Sequence, residues 1–244
     1  MMKLISAAAV LAIAAGANAT VLYSTSFEAP TFAVGNINGQ NGWLADTGTI
    51  ANTAGGAHTG TQFGRMTATN LSAAGGSAWA WQATSSGTPQ ILRASAWFQM
   101  GGTIGTRAFS VGLDCYDVAV SRIGQILINS DGSVSILDGL GTSAASAAGL
   151  VNPNVYNKLS IEMNYTTGVE RFFLNDVDTG FAGAFLNTDF GDADFRGIRS
   201  TTAGTGTPEM RVDDYLLETF NVPAPSALGL LGMGLVVGGR RRRA

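Results

Sequence analysis

An all-β fold, with two antiparallel sheets packed as a sandwich, is what this sequence predicts for residues 20–221, on three observations. Leu159, Ile161, Met163 and Tyr165 point one way while Lys158, Ser160, Glu162 and Asn164 point the other, the period of two of a half-buried strand. Turn-forming clusters such as Ser130-Asp131-Gly132 and Thr166-Thr167-Gly168 recur at short intervals between apolar runs. No stretch between Thr20 and Asn221 carries the periodicity of a helix. A sheet that wets one face must bury the other, so about a dozen such strands close into two layers.

The elements follow in order. Val21–Glu28 is a strand by its β-branched and aromatic content. Gly35–Gly42, ending in Trp43, is loop chemistry; it lacks the spacing of a phosphate-binding loop. Residues 48–69 are rich in Gly, Thr and Ala, with short strands at most. Ser77–Thr84 and Ile91–Met100 are strands, and Trp79 and Trp81, two apart, share one face of the first. Phe109, Val111 and Leu113 alternate as a half-buried strand. Arg122–Asn129 and Ser133–Leu137 flank a hairpin turn, and residues 139–149 form a small-residue loop. After the strand at 158–165, Val169–Asn175 returns, Asp176–Gly180 turns, and Phe190–Arg199 and Glu209–Phe220 supply the last strands.

The two ends read differently from the body. Met1–Ala19 has a basic start at Lys3, an apolar run Leu4–Gly16 and a small-residue exit Ala17-Asn18-Ala19 before Thr20, the pattern of a cleaved secretory signal. At the other end, Pro223-Ala224-Pro225 is followed by an uncharged run Ser226–Gly239 and by Arg240, Arg241, Arg242 and Arg243. As a helix that run spans about 21 Å, short of the ~30 Å hydrocarbon core, so flanking residues must help it cross. The arginines stop transfer on the cytoplasmic side. Three parts follow: 1–19 signal peptide, 20–221 sandwich, 222–244 sorting tail. Five of the 14 basic residues lie in the end segments, leaving nine against 17 acidic ones, so the body carries a net charge of −8. An acidic body with scattered arginines excludes nucleic acid as a partner and suits neutral glycans or divalent cations.

Chemistry for catalysis is sparse. His58 is the only histidine and sits in a glycine-flanked loop, Gly55–Gly60, where a solvated side chain is expected. Cys115 is the only cysteine, so no disulfide forms within the chain, and its apolar strand makes it a small core residue. No nucleophile elbow is present, and His58 and Cys115 are too few ligands for zinc. The acidic groups Asp176/Asp178 and Asp189/Asp192/Asp194 lack a full calcium-loop pattern and read as turn formers. Trp79, Trp81 and Trp97 are expected in the core, as sandwich tryptophans commonly are; the alternative is a platform for sugar rings at Trp79 and Trp81.

The tripartite tail resembles the PEP-CTERM sorting signal, with Ala224 in place of the usual Glu between the prolines. The resemblance implies export, a transient inner-membrane intermediate, and removal of the tail by an exosortase-like protease, with a destination at the cell surface or in an extracellular polysaccharide. In the body, TSFE near the start, GQNGW, NKLSIEMNYTTGVERFFLND and RVDDYLLETF are similar to concanavalin A-like (laminin-G-like) jelly rolls. Members of that fold mostly bind sugars or proteins and a minority are glycosidases; the E-x-D-x-x-E strand of the laminarinase type is missing here. The reading is therefore a non-catalytic exported surface protein that binds glycan or protein, with a secreted carbohydrate-active enzyme as the alternative. Jelly-roll modules often hold one structural calcium where first and last strands meet. Glu28, Asp213 and Asp214 are its expected ligands, with Asp214 sharing the core-facing side of Val212 and Leu216.

Overall fold

A computed structural model describes residues 18–45, 50–52, 55–67, 77–82, 84, 89–105, 108–199 and 205–221. Strands in chain order are β1 Asn18–Thr25, β2 Gly35–Asn36, β3 Trp43–Ala45, β4 Ile50–Asn52, β5 Phe63–Thr67, β6 Ser77–Gln82, β7 Ile91–Thr103 and β8 Phe109–Tyr116. They continue with β9 Arg122–Asn129, β10 Val134–Asp138, β11 Ser143–Ala145, β12 Asn157–Asn164, β13 Val169–Leu174, β14 Val177–Ala184, β15 Asp192–Arg199 and β16 Thr207–Asn221. All these strands fall into two antiparallel sheets. The first runs β14-β13-β12-β7-β16-β5-β4-β2 with β1 also on β16; the second runs β11-β10-β9-β8-β15-β6-β3. The sandwich expected from the sequence is observed.

Alternation places the core. Leu92, Ala94, Ala96 and Phe98 of β7, Leu159, Ile161 and Met163 of β12, and Val111, Leu113 and Cys115 of β8 are all fully buried between the sheets. Cys115 is the small core residue expected. Trp43 corrects the loop reading of residues 35–43: it stands at 0 % exposure in β3. Its ring stacks on Phe195 at 4.9 Å and meets Phe27 and Tyr215 at 5.4 and 5.7 Å, and its Nε1 donates to Tyr23 Oη. The signal lay in aromatic size rather than in period, because β3 is too short to show an alternation.

Two further corrections are local. Asp176–Gly180 is not simply a turn; the chain reverses at Asn175-Asp176, both with positive φ, and β14 starts at Val177. As an edge strand β14 is exposed along most of its length, so it shows no apolar alternation to read. In β16 the register with β7 slips between Asp213 and Leu216, and Asp214 takes φ 47°. This bulge sets Tyr215 and Leu217 rather than Leu216 into the core, while Asp213 stays on the outer face opposite Trp97 and is buried there under the loop that carries His58. It marks the point where β16 changes its second neighbour from β5 to β1.

The expected cleavage point precedes Thr20, and Asn18–Thr20 already pair with Asn221–Thr219. Residues 1–17, which include Ala17 and the apolar run, lie outside the described residues. So does the whole tail, with Pro223, Ala224, Pro225 and Arg240–Arg243. Among the described residues no helix is long and apolar enough to cross a membrane.

Candidate functional site

The outer face of the second sheet carries the densest polar and aromatic cluster. Ala193 and Phe195 of β15 enter the core, so Asp192, Asp194 and Arg196 stand on the opposite face. Cross-strand register puts Asp194 opposite Asp114 of β8, and Arg196 opposite Trp79 of β6. Trp79 and Trp81 share this outer face, as their spacing predicts, while Ala80 between them is buried. The expectation that they are core residues is thereby corrected, and so it is for Trp97, which stands on the outer face of the first sheet.

Asp114 is the hub. Its carboxylate is fully buried and accepts from Arg122 Nε at 2.7 Å, Arg196 at 2.6 Å, Gln125 Nε2 at 2.5 Å and Tyr116 Oη at 3.1 Å. Four donors converging on one carboxylate fix it and them. Arg196 lies 4.2 Å over the ring of Trp79, and Tyr116 meets that ring edge-on at 5.8 Å. Trp81 makes no ring stack with a described residue and pairs with Leu44 of β3, which is 47 % exposed. One tryptophan is therefore locked by the hub, and its neighbour stands half-buried beside it on the same face.

Asp192 and Asp194 complete the cluster. Burial, the neighbouring carboxylate and Asp114 opposite push Asp194 up to about 9, and burial lifts Asp192 to about 6. The two carboxyls hydrogen-bond each other, and Asp194 Oδ1 has no partner. Like charges this close in a buried setting disfavour ionisation of both, and the more buried Asp194 takes the larger shift. Past the end of the sheet, a polar cavity of about 470 Å³ continues the same face through Arg122 to Asp117, Ser121, Asn187 and Asp189. The side chain of Asn187 donates to Asp117, and Asp189 accepts from the Val118 amide.

The expected calcium ligands have a different setting. Glu28 Oε1 accepts from the amides of Thr61 and Gln62, and Oε2 from Thr61 Oγ1. Asp213 accepts from the amides of His58, Thr59 and Asp214. Asp214 meets His58 Nδ1 and Thr59 Oγ1, both at 2.6 Å. All three do lie where the first and last strands meet, as expected, but they clamp the loop before β5 with donors on every oxygen. No group of three His, Cys, Asp or Glu among the described residues is placed to hold a metal ion. The set does not fit a shared cation, which would have to displace several amide bonds. His58 is likewise corrected: its ring stacks on Trp97 at 4.0 Å and 17° and meets Tyr156 at 5.3 Å.

No protein family and no curated protein matches the sequence. Solved structures do match the fold. The carbohydrate recognition domain of Emp47p is similar over 82 % of this chain and 96 % of its own, at 10 % identity and a TM-score of 0.53. A CBM2 module from the evolved Dit of Lactobacillus casei BL23 phage J-1 is similar over 85 % and 99 %, at 11 % identity and a TM-score of 0.53. A sialidase is similar over 77 % of this chain at 9 % identity and a TM-score of 0.52, and the chain spans 18 % of that protein. At such identities these likenesses show the fold alone, a two-sheet antiparallel β-sandwich.

Proposed function

We propose that this chain is an exported, non-catalytic glycan-binding protein of the cell surface or extracellular matrix, and that the outer face of the second sheet is its binding face. The observation that carries the reading is the half-buried Trp81 on the same outer face as Trp79, which the Asp114 hub holds in place. An indole face takes the apolar side of a sugar ring, while fixed carboxylate, guanidinium and amide groups take its hydroxyls. Two of the similar folds are described as a carbohydrate recognition domain and a CBM2 module, which supports the same class of ligand. Export and sorting rest on the two end segments of the sequence.

Retention on immobilised neutral polysaccharides tests the reading. Trp81→Ala is expected to weaken retention roughly tenfold, about 1.4 kcal/mol, with the fold unchanged by circular dichroism. Equal retention of the variant rejects this face. One observation favours the enzyme as a second reading: Asp192 and Asp194 form a carboxyl pair on the same face, with Asp194 pushed up by burial and by its neighbour. A retaining glycosidase, however, needs its two carboxyls about 5–5.5 Å apart, and these two touch. Turnover of any polysaccharide, lost in Asp194→Asn, would establish the enzyme instead.

The tail yields its own expectation. Protein recovered from the medium or the cell surface is expected to have an intact mass lacking residues 222–244. Recovery with Arg240–Arg243 attached would show a permanent anchor.

A further inference from the structure

The outer face of the first sheet, on the opposite side of the sandwich, has a groove of about 480 Å³. Ser24, Thr25 and Ser26 form one wall, Ser95 and Trp97 the floor, and Lys158 the other side. That volume lies within the range of small-ligand sites. Trp97 is only 16 residues from Trp81 in sequence, but in space the two sheets separate them, because Trp97 alternates with the buried Ala96 and Phe98 of β7.

The groove is built rather than incidental. His58 covers one side of the Trp97 ring, and Asp214 holds His58 through Nδ1 at 2.6 Å. The loop that carries His58 is pinned at four places: Asp213 takes the amides of His58 and Thr59, Glu28 those of Thr61 and Gln62, Asp214 takes Thr59 Oγ1, and Tyr156 Oη donates to the Gly56 carbonyl. Asp213 is buried and pushed up to about 6 by that burial, yet three amides satisfy it. The β16 bulge thus serves to hold a loop against Trp97. What remains open is an aromatic wall with the hydroxyl side chains of Ser24, Thr25 and Ser26, since Lys158 is paired with Asp176 at 2.8 Å and Asp214 with His58 and Thr59. Both charged groups already have partners within the chain, and the hydroxyls both donate and accept. This chemistry suits a neutral, hydroxyl-rich ring and neither an anion nor a hydrocarbon.

We infer that this groove is a second glycan site, and that the protein bridges two polysaccharide chains. The inference rests on the glycan reading of the first face. Sheets of a sandwich lie about 10 Å apart with outer faces turned away from each other, so one short glycan cannot fill both sites. Two weak sites then yield avidity on a polymer matrix without any new contact.

Isothermal titration of the full chain with short oligosaccharides of laminarin, xyloglucan and galactomannan reads the number of sites. Two ligands per chain are expected, falling to one in Trp97→Ala and to one in Trp81→Ala. Ser24→Trp, a change at an exposed position that fills the groove while keeping Trp97, should also leave one. Co-precipitation of the matching polymer is expected for the unmodified chain and lost in each variant. One site per chain, abolished by Trp81→Ala and untouched by Ser24→Trp, overturns the second site and leaves the first reading standing. Binding of none of the three glycans counts against both.

Discussion

Asp114→Ala is expected to lower the unfolding free energy by about 3–5 kcal/mol and the melting temperature by roughly 6–20 °C for a domain of this size. The carboxylate is fully buried, and its removal strands Arg122 and Arg196, whose side chains are 28 % and 17 % exposed. Removing one partner of such a cluster leaves charges without compensation, which costs more than the cluster itself contributes. Gln125, 8 % exposed, loses its acceptor as well. Asp114→Asn keeps one oxygen acceptor and should lose less. The same change should release Arg196 from the Trp79 ring and weaken glycan retention beyond what lost stability explains. Urea unfolding and retention measured on the same preparations check both parts. A loss below about 1 kcal/mol would mean that the two arginines reach water once the carboxylate is gone.

The hub was not legible in the sequence, although its strands were. The β9–β10 hairpin and β12 announce themselves because one face of each is apolar and the other polar over several residues. β8 also alternates, but Asp114 and Tyr116 read there only as polar residues on a wet face. Their meaning comes from β15 and β9, which lie 78 and 11 residues away from Asp114 at Asp192 and Gln125 and are brought beside it by pairing. Tryptophans mislead for a related reason. Size and apolarity argue for the core, yet alternation against Ala80 and against Ala96 decides the face, and small buried alanines carry a weak hydrophobic signal. Trp43 shows the converse, a core residue hidden in a loop-like stretch. Asp213 and Asp214 lie on the expected strand, but a bulge shifts the pattern by one, so Tyr215 takes the core-facing place expected for Asp214 and Asp213 is buried by a loop instead.

Stability is expected to fall as the pH rises from about 5 to 8.5, and Glu170 is expected to account for a large share of the fall. Glu170 is fully buried opposite Met163, accepts one bond from the Gly139 amide and leaves Oε2 without a partner. Gly124 and Gly183 make its room, since a side chain at either would run into the carboxyl. Burial first, then the neighbouring Asp138, lifts Glu170 from 4.5 to about 8. Within that window the unfolded chain has released the proton and the native state has kept it. The unfolded state therefore binds fewer protons, and the slope of unfolding free energy against pH is negative. The full effect is present below the unfolded value, and the stability is lost progressively as the pH rises to about 8. At about 1.4 kcal/mol per unit, the upper bound across the window is about 5 kcal/mol. Asp192 and Asp194 are shifted the same way and add to the slope. Glu170→Gln keeps an oxygen for the Gly139 amide and carries no titrating group. Urea unfolding of both proteins at pH 5 and pH 8.5 is the measurement. The unmodified chain should lose several kcal/mol more than the variant between the two conditions. Parallel losses in the two proteins would place the titrating carboxyls elsewhere in the sandwich and show that the pocket around Glu170 admits water.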